Sequence, residues 1–245
     1  MLSAIVQARM GSTRLPGKIL MEVNGKSLLE YLIERLQSVK EIKQVIVATT
    51  EKPQDEEVGK LCKKLGVKCY RGEEDDVLGR VYNAAVIYQA NPILRITADC
   101  PLIDPKILND QIEYFYNQEI DYCYLGLSFA EGICSDLFSL DALRKAFQNS
   151  TQKDDREHVT PYFHKHKELF RIASYENKTD DSRFRIVLDQ EEDFEVISMI
   201  IKNLYKKGNE LFDVQQIKEY LMMYPDIYKL NATVKRNESY DVFKI

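Results

Sequence analysis

Residues 7–20 read Gln-Ala-Arg-Met-Gly-Ser-Thr-Arg-Leu-Pro-Gly-Lys-Ile-Leu, so three cations (Arg9, Arg14, Lys18), two glycines (Gly11, Gly17) and two hydroxyls (Ser12, Thr13) fall in one short run. Glycines let backbone amides approach a ligand closely. Amides combined with guanidinium and ammonium groups make a cradle for an anion. A triphosphate carries about four negative charges at neutral pH, so a cluster of three cations is a proportionate partner. Composition alone fits a surface loop with solvated cations equally well. The position of the run, directly after the apolar segment of residues 2–8, favours phosphate binding. The spacing is not that of a Walker loop: five residues separate Gly11 from Gly17, and Ile19 follows Lys18 where Ser or Thr would meet magnesium. Nor does the run contain Gly-x-Gly-x-x-Gly.

Two carboxylates are candidates for a metal. Asp99 ends the apolar run Arg95-Ile96-Thr97-Ala98, and a carboxylate at a strand's C-terminal end is placed for a ligand-bound cation. Magnesium needs only one or two carboxylates when phosphates complete its shell. Asp104, followed by Pro105, is explained as a helix cap. Asp189, in Leu188-Asp189-Gln190-Glu191-Glu192-Asp193, forms a capping box with Glu192 on the same reasoning, and acids suit a first helical turn. Glu191, Glu192 and Asp193 read as solvated or structural. Arg71 and Arg80 flank an acidic stretch and are open to two readings, nucleotide contact or helical ion pairs. Arg156-Glu157-His158 combines a cation, an acid and a titratable imidazole, a set able to bind a sugar carboxylate or orient a hydroxyl. A structural hydrogen bond is the plainer account of His158. His164 and His166 have no such context and read as surface residues.

The elements that position these residues alternate. Residues 2–8 read as a buried strand, residues 19–23 as a short extended piece, and Asn24-Gly25 as a turn. Ser27 and Glu30 form a capping box ahead of a helix with Leu29, Leu32, Ile33 and Leu36 on one face. Residues 45–48 and 67–70 read as strands, separated by a helix that opens at Pro53 and stops at Gly66. A helix over 76–89, a strand over 93–97 and a helix starting at Asp104-Pro105 follow. Four alternations predict an α/β fold with a mostly parallel, Rossmann-like sheet and helices on both faces. Ligands of such sheets bind outside the C-terminal ends of the strands. The second half is less regular: strands over 122–127, 171–175 and 184–188, and helices over 140–147, 190–205 and 213–222, the last capped by Asp213. The tail after Pro225 is polar. Residues 120–180 are predicted to form a smaller α+β subregion that carries the acceptor pocket and a dimer contact.

The net charge of −5 argues against nucleic acid or an anionic membrane surface as the partner, since both require a basic footprint. No run reaches the roughly 20 apolar residues that span a bilayer, and the opening run is too short for a signal peptide. Five scattered cysteines without Cys-x-x-Cys read as free, mostly buried thiols. Together these features predict a cytoplasmic protein.

The run Gln7-Ala8-Arg9-Met10-Gly11-Ser12-Thr13-Arg14-Leu15-Pro16-Gly17-Lys18 resembles the opening of the cytidylyltransferases that activate acidic sugars. These include CMP-KDO synthetase, CMP-sialic acid synthetase and the spore coat polysaccharide biosynthesis protein F group, which is the nearest match. The resemblance covers most of the first 200 residues. It implies one nucleotidyltransferase domain over residues 1–245, of the nucleotide-diphospho-sugar transferase type, acting as a homodimer. It also implies that Gln7, Ala8, Arg9, Gly11, Ser12, Arg14 and Lys18 hold CTP, with Arg71, Arg80 and Asp99 also bordering the nucleotide. Asp99 and Asp189 would share Mg2+ (or Mn2+), the second reading displacing the cap. Arg156, Glu157, His158 and Arg185 would meet a small acidic sugar. The expected catalytic set is Arg9, Lys18, Asp99 and Asp189, promoting in-line attack of a sugar hydroxyl on the α-phosphorus. One segment departs from the pattern: relatives carry Gly-x-Asp-x-Glu where this chain has Gly132-Ile133-Cys134-Ser135-Asp136. Two other readings stay open. One is a glycosyltransferase, although Asp99-Cys100-Pro101 is not the Asp-x-Asp of that class. The other is a nucleotide-binding regulatory module without turnover.

Overall fold

Apolar runs too short for helices and the amphipathic segments between them set the architecture. A computed structural model describes residues 1–206 and 211–236; the end of the polar tail, residues 237–245, lies outside the described residues. Strand β1 (Ser3–Gln7) pairs in parallel with β2 (Gln44–Thr50) on one side and β4 (Ile93–Thr97) on the other. β2 pairs in parallel with β3 (Lys68–Gly72). Beyond β4 the sheet continues with β6 (Asp136–Phe138), then β5 (Tyr122–Leu125), then β7 (Ile172–Tyr175). The seven strands thus run in the order β3-β2-β1-β4-β6-β5-β7. β6 is antiparallel to both of its neighbours. The α+β subregion of residues 120–180 is built onto this same sheet as its β5, β6 and β7 edge.

Side chains alternate across the strands. Ala4 and Val6 pack with Val47 and Ile96 on one face, beneath α1 (Leu28–Gln37), α2 (Glu56–Leu65), α4 (Pro105–Asn117), α8 (Glu191–Leu204) and α9 (Val214–Met223). Ile5, Ile46 and Ile93 pack on the other, beneath α3 (Val77–Ile87), α5 (Leu140–Asn149) and α7 (Pro161–Lys165). Each fully buried Val, Leu or Ile contributes about 1.5–3 kcal/mol, so both faces are committed. Two short helices, α6 (Lys153–His158) and α10 (Pro225–Lys229), complete the described chain.

The caps follow the sequence. The Ser27, Asp76, Asp104 and Asp213 side chains accept backbone N–H groups at the starts of α1, α3, α4 and α9. The predicted extended piece at 19–23 is instead a 3-10 turn (Lys18–Leu20) and a two-residue hairpin arm, Glu22–Val23 against Lys26–Ser27, closed by Asn24-Gly25. The predicted strand at 184–188 is not one. Its backbone bonds to loop segments: Glu131 N–H to the Phe184 carbonyl, Ile186 N–H to the Glu131 carbonyl, and Leu188 N–H to the Asp99 carbonyl at 2.8 Å. The apolar run is real, but it lies across the strand ends. Conversely, β6 has too few residues to signal a strand on its own.

The strand order reverses between β1 and β4, because β2 and β3 lie to one side of β1 and the later strands lie beyond β4. A crevice must open there, outside the C-terminal ends of Gln7 and Thr97. Among the described residues, no helix is long and apolar enough to cross a membrane.

Candidate active site

The loop that leaves β1 is held in shape by its own backbone and by one buried acid. Asp55 is fully buried; its carboxylate accepts the Met10 N–H at 2.6 Å and the Thr50 hydroxyl. The Met10 carbonyl in turn accepts from Ser12 and Gly17, and the Ser12 hydroxyl accepts the Leu15 N–H. The turn closes at Gly17 with φ 71°, a conformation that side-chain-bearing residues adopt only at a cost of about 1–2 kcal/mol. Buried Leu15 and Ile19 root the loop in the core. Arg9 and Arg14 are left facing outward, while Lys18 folds under.

Lys18 brings the two predicted metal carboxylates to one point. Its ammonium donates to Asp189 Oδ1 at 2.7 Å and to the Leu188 carbonyl at 2.6 Å, and lies 3.7 Å from Asp99 Oδ2. The two carboxylates are therefore separated by no more than the sum of those two ion-pair distances. Arg14 reaches the other oxygen of Asp189 at 3.1 Å. The backbone bond from Leu188 to Asp99 ties the two segments together below the side chains. Asp189 is not the helix cap: Gln190 holds that position, and Asp193 accepts the N–H groups of Asp189 and Gln190 at 3.0 Å each. The Asp189 carboxylate is thereby left to the site.

A divalent cation fits this donor set. Two carboxylates converge where an ammonium already stands, and among the described residues no group of three or more His, Cys, Asp or Glu side chains could hold a metal alone. Such a site suits a hard cation whose remaining ligands come from phosphates and water.

The crevice has two connected compartments. The smaller is lined by Gly11, Ser12, Arg14, Lys18, Asp99 and Asp189. The larger, of about 460 Å³, runs from Arg9, Arg14 and Asp99 past Arg95, Tyr124 and Asp136 to Glu157, His158 and Thr160. Gln7 lines both. Glu157 and His158 end α6, and the chain turns there through Val159, whose φ is 71° and whose neighbours close a γ-turn from Thr160 N–H to the His158 carbonyl at 2.8 Å. A β-branched residue in that conformation is strained and persists only because its surroundings fix it; Val159 is fully buried.

Five other predicted site residues lie outside the crevice lining. Ala8 is buried under the loop with its N–H bonded to the Ala48 carbonyl. Arg71 donates to the Thr50 and Lys52 carbonyls. Arg80 is buried and donates to the Glu73 and Glu74 carbonyls. Burial, with the nearby charge of Arg9, pulls its pKa down to about 10. It props the segment from which Glu74 faces Arg9 at 3.9 Å. Arg156 donates to Asp76 at 2.9 Å and to the Phe147 carbonyl, and stacks over the Phe147 ring. It moors α6 to the cap of α3, so Glu157 and His158 reach the crevice while Arg156 does not.

Arg185, expected to meet the acceptor, likewise lies outside the crevice lining and is engaged by two buried acids. It makes a bidentate pair with Asp193 at 2.8 Å and a third bond to Glu131 at 2.7 Å, all three side chains being buried. Burial pushes the Asp193 carboxyl up, but the bonds from Arg185 and Asn231 outweigh this and hold it below the usual carboxylate range. The same pairs hold the Arg185 guanidinium above its ordinary value against burial.

Two contributors were missed in sequence. Asp55 anchors the loop, and Arg95 is an arginine inside an apolar strand whose alternation points it into the crevice. That lone charge among Ile93, Leu94 and Ile96 was the available signal. In the departing segment, Asp136 pairs with Arg95 at 2.5 Å, and Cys134 Sγ lies 3.1 Å from Cys100 Sγ. That contact, with burial, pushes the Cys100 thiol up.

The chain and its fold resemble known proteins. A family model described as cytidylyltransferase matches residues 3–224. The chain is 34% identical over 217 residues to the spore coat polysaccharide biosynthesis protein SpsF of Bacillus subtilis, covering 86% of this chain and 88% of that protein. It is 32% identical over 114 residues to a 3-deoxy-manno-octulosonate cytidylyltransferase of Trichlorobacter lovleyi, covering 46% and 44%. The fold matches the structure of a cytidylyltransferase from Leptospira borgpetersenii with a TM-score of 0.89 at 35% identity, over 96% of this chain and 99% of that one. With the family model spanning residues 3–224, the chain belongs to the cytidylyltransferase family and is a nucleotidyltransferase.

Proposed function

We propose that this cytidylyltransferase transfers CMP from CTP to a hydroxyl of a small acidic sugar, releasing pyrophosphate. The observation that carries this reading is the meeting of Lys18, Asp99 and Asp189 at the mouth of the loop. Arg9, Ser12, Arg14 and Lys18 take the phosphates, and the sugar occupies the larger compartment with Glu157 and His158 at its far end. The likeness to a 3-deoxy-manno-octulosonate cytidylyltransferase over 46% of the chain supports a 2-keto sugar acid as acceptor. Attack of the sugar hydroxyl forms an O–P bond at the α-phosphorus as the bond to the leaving pyrophosphate breaks. Positioning and charge stabilisation supply the catalysis. Arg9, Arg14 and Lys18 offset the charge that grows on pyrophosphate. Asp99 and Asp189 would hold Mg2+ or Mn2+, which when bound neutralises phosphate oxygens and acidifies a neighbouring hydroxyl.

The test is pyrophosphate release measured with each of four nucleoside triphosphates against a panel of 2-keto and other acidic sugars. Release with CTP and a sugar acid supports the reading. Release with another triphosphate, or sugar transfer without pyrophosphate, overturns it. Asp99→Asn is expected to abolish turnover with an unchanged melting temperature; near-normal activity would refute the role of Asp99.

A further inference from the structure

Gln7 stands where the two compartments join, and its amide is not free to turn. Oε1 accepts from Arg95 Nε at 3.1 Å and from Arg95 Nη2 at 2.7 Å. A guanidinium can only donate, so the carbonyl end of the amide must face Arg95 and the NH2 end must face away. Arg95 is itself fixed. Its Nη1 donates to Asp136 Oδ2 at 2.5 Å, and Asp136 Oδ1 accepts from the hydroxyl of the fully buried Tyr122 at 2.8 Å. The strands supply the rest: Gln7 ends β1 beside Thr97, which ends β4. The chain therefore presents two N–H donors, polarised by a cationic neighbour, at the boundary between nucleotide and acceptor.

Arg9 and Arg14 line the larger compartment too, but at the end it shares with the phosphate loop, where they are assigned to CTP; Arg95 is the other arginine in its lining. Arg95 is matched by Asp136, Arg185 by Asp193 and Glu131, and Arg156 by Asp76. In a 2-keto sugar acid in its ring form, the anomeric carbon carries both the hydroxyl and the carboxylate. If that hydroxyl attacks the α-phosphorus, the carboxylate must lie one carbon away, at the join between the compartments.

We propose that Gln7, oriented by Arg95 and Asp136, is the residue that receives the acceptor's carboxylate and so selects 2-keto sugar acids. This rests on the acceptor class proposed above, and it moves Gln7 from the CTP-holding set that the resemblance implies to the acceptor side of the join.

The experiment compares wild-type enzyme with Gln7→Met, which keeps the shape and removes the donors, and Gln7→Glu, which turns donors into a charge that Arg95 would hold. Pyrophosphate release is followed with 3-deoxy-manno-octulosonate, or the 2-keto acid of the panel that wild type uses best. CTP binding is measured separately by calorimetry. Gln7→Met is expected to raise the acceptor KM about 10- to 100-fold, the range for a lost hydrogen bond to a charged group, with the CTP Kd within twofold. Gln7→Glu should be worse than Gln7→Met with the acid. An acceptor KM within twofold of wild type, or an equal rise in CTP Kd, overturns the proposal. If wild type binds CTP but uses no 2-keto acid while accepting another sugar, the acceptor class fails first. If wild type uses the acid and Gln7→Met uses it equally well, only the assignment of Gln7 fails.

Discussion

Replacing Arg185 with methionine tests the claim that its guanidinium holds the site together from behind. The side chain makes three charge-assisted bonds, two to Asp193 and one to Glu131, with the participating side chains 6%, 0% and 4% exposed. Methionine keeps most of the volume and removes the charge. Asp193 would retain the N–H groups of Asp189, Gln190 and Asn231, but two carboxylates would share a dry site with no cation. Removing one partner of a buried pair costs about 3–5 kcal/mol. An independent route to the number is the cost of protonating one acid instead. For a carboxyl of ordinary pKa 3.8 at pH 7, that is about 4 kcal/mol at 1.36 kcal/mol per unit. The two routes agree. For a chain of this size, 1 kcal/mol shifts Tm by about 2–4 °C, so Arg185→Met should melt about 8–16 °C below wild type at pH 7.

The pH dependence separates this mechanism from simple loss of packing. The folded-state pKa of Asp193 lies below its unfolded value. Its contribution is therefore fully present above the ordinary carboxylate pKa and is lost as pH falls through the folded value. In Arg185→Met the order reverses, because the unpaired acids take up protons more readily when folded. The deficit should then shrink by up to about 1.4 kcal/mol per unit as pH falls from 7 to 5. Adding Asp193→Asn, which keeps an oxygen for the Asp189 and Gln190 N–H groups, should recover part of the loss non-additively. Thermal and urea unfolding at pH 7 and pH 5 would measure all of this. A Tm within 2 °C of wild type, or a deficit independent of pH, refutes the reasoning.

Two further predictions concern the same half of the molecule. Gly132 has φ 102°, and a Cβ there would sit 2.5 Å from the backbone carbonyl carbon of Ile186; Gly132→Ala should lower Tm by at least about 4 °C, from a strain of about 1–3 kcal/mol with a backbone clash added, and a shift under 1 °C would contradict it. His164, read from sequence as a surface residue, is instead partly buried, edge-on to Tyr122 and Tyr124, and burial lowers its pKa below 6.5 against the opposing charge of Asp136. The unfolded chain then takes up this proton first, so the His164 contribution is complete above about pH 6.5 and is lost as pH falls below it. Between pH 7.5 and 5.5 wild type should lose more of its urea midpoint than His164→Gln, and equal losses would refute the assignment.

What the sequence revealed and what it hid divide along a physical line. The caps at Ser27, Asp104 and Asp213 are local: a residue type in a fixed spacing determines what its backbone does, and each was legible. The parallel sheet followed from alternation for the same reason. Arg95, Arg156 and Arg185 were not legible, because a guanidinium's role depends on which acid lies beside it, and sequence spacing does not identify that acid. Arg156 pairs with Asp76, Arg185 with Glu131, and Arg95 with Asp136. For Arg156 and Arg185 the charge that suggested ligand binding is cancelled by partners elsewhere in the chain, and the charge of Arg95, which was missed, is cancelled by Asp136, 41 positions on. Asp189 escaped its local reading as a cap because Asp193, four residues on, took the N–H groups of the turn. The departure at residues 134–136 has the same explanation. Asp136 is bonded to Arg95 and Tyr122 through both oxygens, so its effect on an acceptor passes through the side chain that Arg95 orients. A neutral amide at the join, set by a cancelled ion pair behind it, cannot be read from its own position in the chain; it becomes a specificity element only once β1, β4 and β6 lie side by side.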